Sequence, residues 1–240
     1  MGLWSKIKSV VRVVVKAAVE LVNRFTVGVL DLLFGALAVW IGWPPKRLRL
    51  HVFILWSQPP PVIEGGPPPP IEQVVQDAIN HTKRIYKERF NVNVRPYGQS
   101  FIQVINDPVP DEALDVSCSF GVEFGEAGDY YAKLLAGWNV IPISLTFPIT
   151  VFVVRDLDAA GCSMNVLGDY VIVDREGLET DHITLAHEIG HACGLSPGLG
   201  SPFWHDWTPS NLMYKASPAG ENVKWFQKNI LRSSRHVQYW

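Results

Sequence analysis

Cysteine is scarce in this chain. Only Cys118, Cys162 and Cys193 occur in 240 residues, which excludes a densely cross-linked small scaffold. Three is also not a closed set. Cys118 and Cys162 could pair outside the cytoplasm and leave Cys193 single, or all three could be reduced thiols in the interior. Net charge is nearly absent as well. Lysine and arginine total 21 and aspartate and glutamate 23, a balance of −2 at pH 7 that gives no pull toward nucleic acid. No small-residue cleavage site follows the hydrophobic opening, and the basic region before it is long. Both features argue against a removable signal peptide.

What is plentiful is apolar surface, 48% of the residues with nine tryptophans. Part of it is concentrated in the first 56 residues. Over residues 3–24 the polar positions 5, 9, 12, 16, 20 and 23 recur at three- and four-residue steps, one polar stripe on an otherwise apolar helix. With Lys6, Lys8, Arg12, Lys16 and Arg24, and Trp4 near its start, this stretch suits an anionic membrane surface. It equally suits packing on a partner subunit. From Phe25 to Trp43 the chain is almost wholly apolar, broken by Asp31, and about long enough for a hydrocarbon core of ~30 Å. Trp40 and Trp43 would mark an interface, Pro44-Pro45 ends the helix, and Asp31 demands a partner. A membrane span and a helix pair lying in a membrane plane or in an assembly are both open. Basic residues flank both sides and slightly favour the N-terminus inside, with the rest extracytoplasmic.

Residues 50–57 form a β-prone run, and 58–70 hold two proline clusters that favour a semi-rigid spacer. The expected organisation is therefore an anchor-like helical segment over 1–45, a strand and linker over 46–70, and a catalytic domain over 71–240. Within the last, Ile71, Val74, Val75, Ala78, Ile79, Thr82, Ile85 and Tyr86 share one helix face. Strands are expected at 101–106, 114–120, 148–154 and 168–174. A helix or an elaborated loop follows Gly125, and a final helix is expected at 221–233.

The chemistry is concentrated in His187-Glu188-Ile189-Gly190-His191. Histidines four apart lie one above the other on a helix, so both imidazoles reach one metal ion. Zn²⁺ accepts neutral imidazole nitrogen. Glu188 points beside the ligand face, where a general base belongs. Gly194 can turn the chain back toward the metal. His205 is then the third ligand candidate, with Asp206 and Glu221 as alternatives. His182 and His81 lie off the metal and core faces, and His236 is expected to be exposed.

These residues, followed by Ser210-Asn211-Leu212-Met213-Tyr214, resemble the metzincin clan of zinc peptidases, especially matrixin-like members. The resemblance is strongest over residues 168–214. It implies an α+β catalytic domain: a twisted mixed sheet with a long backing helix and an active-site helix. It also implies Zn²⁺ on His187, His191 and His205, Glu188 as the base acting on zinc-bound water, and Met213 in a methionine turn. A polypeptide substrate would lie along an edge strand, here Tyr170, Val171 and Ile172. The family spacing puts the third histidine at position 197, which is Pro197; His205 comes eight residues later, after an insertion rich in glycine and proline. No cysteine-switch propeptide of the matrixin type is visible. A membrane-associated structural or assembly protein with a non-catalytic zinc site is the alternative, and a retained Glu188 speaks against it.

Overall fold

The computed structural model describes residues 18, 21–56, 69–119, 125–135, 148–163, 169–195 and 205–239. Most of the basic stretch expected over 3–24 lies outside these residues, as do 57–68 of the linker and the insertion at 196–204.

Strand β1 (Lys46–Ile54) is the spine of a seven-stranded mixed sheet. Along one side run β2 (Val92–Pro96) and then β3 (Ile102–Val104), both parallel to it. Along the other lie β5 (Ile149–Val153), parallel, and β9 (Val237–Gln238), antiparallel. Outward of β5 come β8 (Tyr170–Val173), parallel, and β7 (Cys162–Ser163), antiparallel. The sheet thus begins at Lys46, upstream of the boundary expected at residue 71. Alternation explains why: Leu48, Leu50, Val52 and Ile54 all point to one face and are solvent-free.

That face carries the larger core. Helix α2 (Ile71–Ile85) backs it with Ile71, Val74, Val75, Ala78, Ile79, Thr82 and Ile85 buried, the stripe its periodicity predicts. A wider turn, Tyr86–Phe90, continues it, and Tyr86 donates to the carbonyl of Ala186. The opposite face packs Phe53, Phe152, Tyr170 and Ile172 against α3 (Asp111–Leu114) and α4 (Glu126–Leu135). There a short parallel pair, β4 (Asp115–Val116) with β6 (Asp156–Leu157), lies near a Cys118–Cys162 disulfide, while Cys193 is buried and takes no part in a disulfide. The fold is mixed α/β with a mixed sheet, in keeping with the α+β expectation.

The hydrophobic opening is arranged differently from a single long helix. Residues 21–25 are helical, the chain turns at 26–28, and α1 occupies Val29–Trp40. No helix among the described residues is long and apolar enough to cross a membrane. Instead α1 packs on α7 (Trp225–Ser233), which follows the shorter α5 (Arg175–Thr180) and α6 (Thr184–Ala192). The partner Asp31 demands is supplied twice: its carboxylate lies 2.8 Å from Lys46 Nζ and 2.7 Å from Arg232 Nε, all three groups nearly solvent-free. The final helix turns a mixed face inward, with Leu231 in the core and Ile230 packed against it beside polar side chains. Trp225 is exposed, while Gln227, Asn229, Leu231, Arg232 and Ser233 are buried. His236, expected at the surface, is buried too, 3.8 Å from Asp169.

Candidate metal centre

Helix α6 carries the histidine pair. Its approach is shaped by Asp181, whose Oδ1 accepts from the Ile183 N–H and whose Oδ2 accepts from Ser217 Oγ and the Ala219 N–H. Its end is set by Gly194, at φ +94°. The Gly194 N–H donates to the His191 carbonyl and the Leu195 N–H to the Gly190 carbonyl, the paired bonds of a left-handed helix stop. A side chain at Gly194 would strain that φ. The turn brings the Leu195 carbonyl back to His191, which donates to it from Nδ1 at 2.7 Å.

His187 is held the same way, with Nδ1 donating to the Leu212 carbonyl at 2.7 Å. A carbonyl only accepts, so in both rings Nδ1 carries the proton and Nε2 keeps its lone pair. His205 completes the group. One ligand atom from each of His187, His191 and His205 lies within 4.8 Å of the other two, and the ring centroids are 4.6–5.4 Å apart. Burial pulls the His187 ring down to about 4 against the pull of the Leu212 carbonyl, and pulls His191 well below its usual value. Burial and then Lys215 lower His205. Neutral imidazole is the ligand form, so the donor set fits a metal ion.

Glu188 is buried beside the ligands. Gly161 makes room for it: a Cβ there would come within 2.6 Å of Glu188 Cγ. The Ser163 backbone N–H donates to its carboxyl, yet burial dominates and pushes the group up to about 8. Beneath the helix Met213 packs against Gly190, where a Cβ would stand 3.0 Å from the sulfur. Leu212 and Met213 are fixed by Asn211, whose Oδ1 accepts from the Met213 N–H. Asn211 also exchanges side-chain bonds with the buried Gln227 of α7. A cavity of about 250 Å³ opens onto the group, lined among others by His187, Glu188, His205, Tyr214 and Ser217.

The structure thus brings together His187, Glu188, His191, His205 and Met213. The alternative ligands are engaged elsewhere. Asp206 pairs with Lys224 and accepts from the Thr208 N–H, and Glu221 pairs with Arg84 and His81. His182 faces His81, with centroids 5.8 Å apart. Tyr170, Val171 and Ile172 do not line an edge. Their strand is sandwiched between β5 and β7, and the three side chains are buried on the two cores. The outer position falls to β7, with which no strand pairs on its far side among the described residues. A two-residue strand with neither alternation nor length gives no sequence signal. Gln227, Gly161 and Ser163 likewise carry no sequence signal, and Asn211 carries only its place before Leu212-Met213. Neither family models nor curated proteins gave a match to this chain.

Proposed function

We propose that this chain is a zinc-dependent endopeptidase of the metzincin type. The observation that carries it is the convergence of three neutral imidazoles around a buried carboxyl on the same helix. His187, His191 and His205 would hold the ion through their unprotonated nitrogens, a donor set that suits Zn²⁺. When bound, Zn²⁺ supplies a Lewis acid that polarises the scissile carbonyl and favours loss of a proton from water. The rest is done by the protein. Glu188 accepts the proton of the attacking water at its carboxylate and returns it to the departing amine, so the carboxylate is regenerated as the C–N bond breaks. A cation beside it favours the ionised form that burial alone opposes. The substrate backbone would lie along the side of β7 that no strand covers among the described residues, one strand further out than Tyr170–Ile172, where the Ser163 N–H meets the Glu188 carboxyl. The cavity beside His205 and Tyr214 takes one substrate side chain.

A purely structural metal site needs no buried carboxyl next to its ligands, which favours the catalytic reading. Zinc-loaded wild type should cleave an unfolded protein substrate. Glu188→Gln should bind zinc in the same one-to-one ratio, with cleavage reduced by a factor on the order of 10² or more. Undiminished cleavage by Glu188→Gln would refute the role given to that carboxylate.

A further inference from the structure

Helix α1 has two faces of opposite fate. Gly28, Asp31 and Gly35 turn toward α7 and are buried. At helical spacing on the far side stand Leu30, Leu33, Phe34, Leu37, Trp40 and Ile41, all exposed, Leu30 at 68% and Trp40 at 83%. Leu21, Val22, Phe25 and Val27 extend this surface at one end and Trp43 at the other. A contiguous apolar surface of this extent marks an interaction site. Its chemistry is that of a bilayer interface, with aliphatic residues between aromatic ends.

We propose that this face docks in the plane of an anionic lipid bilayer and does not cross it. Charge complementarity points to the lipid. The first 23 residues contain Lys6, Lys8, Arg12 and Lys16 against the single acid Glu20, in a chain whose total is −2. Basic groups close in sequence to an apolar face are what anionic headgroups attract. The in-plane orientation follows from Asp31. Crossing the hydrocarbon would strip its carboxylate from Lys46 and Arg232 and strand three charges. Lying flat keeps that network closed while the opposite face enters the interface. Arg24 ties the same element to the body of the protein, donating to the carbonyls of Cys193 and Ile230.

The test uses the full chain with vesicle flotation. Wild type should float with vesicles containing phosphatidylglycerol and much less with phosphatidylcholine alone. Leu33→Glu/Leu37→Glu alters only exposed positions. It should lose binding roughly tenfold or more, while keeping the zinc stoichiometry of wild type as the sign that it is folded. A spin label near the headgroup should quench the fluorescence that Trp40→Phe/Trp43→Phe removes more strongly than a label at the acyl chain end. Three results would overturn the proposal: binding unchanged in the double glutamate variant, with loss only when Lys6, Lys8 and Arg12 are reversed; stronger quenching from the chain end; or no flotation together with a wild-type dimer that the glutamate variant dissociates, which would assign the face to a second copy.

Discussion

Asn211 illustrates how a polar side chain outside the three-histidine cluster can govern its geometry. Its amide fixes the Met213 N–H and interlocks with Gln227, and the next carbonyl along, Leu212, holds His187 in its ligand tautomer. Asn211→Ala leaves the buried Gln227 Nε2 without the Asn211 acceptor, while Gln227 Oε1 keeps the Lys224 N–H. We expect a stability loss of about 1–3 kcal/mol by denaturant titration. Zinc affinity, measured by competition with a chelator, should fall by roughly tenfold or more, as it does when a group orienting a ligand is lost. At this scale the sequence was most legible where chemistry restricts the choice of residue. His187, Glu188, His191 and Gly194 each have a role that few residue types can fill. His205 could be named from composition, but not chosen over Asp206 or Glu221 without seeing that Lys224 and Arg84 already engage those two. Asn211 and Gln227 were unreadable because an amide pair has no periodicity.

Elements come next, and here the contacts between α1 and α7 are decisive. Asp31 on one helix meets Arg232 on the other, with Lys46 of β1 beside them. Asp31→Asn keeps the shape and leaves two buried cations without their counter-charge. The expected cost is about 3–5 kcal/mol, read as a lower urea midpoint. A second link, exposed and weaker, joins α2 to the segment before α7. The Arg84 guanidinium holds the Glu221 carboxyl below its usual range, with His81 adding to the effect. A depressed folded value means that this contribution exists above the unfolded value of about 4.3 and disappears as pH falls through the folded one. Glu221→Gln should therefore be less stable than wild type near neutral pH, by no more than about 1 kcal/mol for so exposed a pair. The two urea midpoints should converge in acid. The α2 stripe and the β5 and β8 runs could be read from their periodicity, since their partners are apolar and interchangeable. The buried face of α7 could not, because Asn229 and Arg232 look like surface residues until Ala36 and Asp31, some 200 positions away, are set against them. The edge position assigned to Tyr170–Ile172 moved out by one strand for a related reason: Cys162–Ser163 is a strand only by virtue of its neighbour.

For the whole molecule, the proposed metal centre is a joint between parts. Its residues come from α6, from the stretch around His205 and, through Asn211 and Gln227, from α7. Ligand binding to the folded state alone raises stability by mass action, about 2.7 kcal/mol when free ion is at a hundredfold its dissociation constant. Chelation should accordingly lower the thermal midpoint of wild type, and zinc should restore it. His205→Ala should unfold at the same temperature with and without chelator. An unchanged wild-type midpoint on chelation would show that the ion, if bound, does not bridge these parts.

The closure of Asp31 by Arg232 also has a temporal side. The two residues are 201 positions apart, and Gln238 bonds to Asn23 across 215. During synthesis α1 leaves the ribosome long before its counterpart has been translated. Throughout that interval the Asp31 carboxylate and the face of α1 that later packs on α7 stand without their partners. The nascent chain therefore carries an unneutralised acid and an uncovered helix face until Arg232 has been translated, and a chain lacking α7 would be held in that aggregation-exposed state.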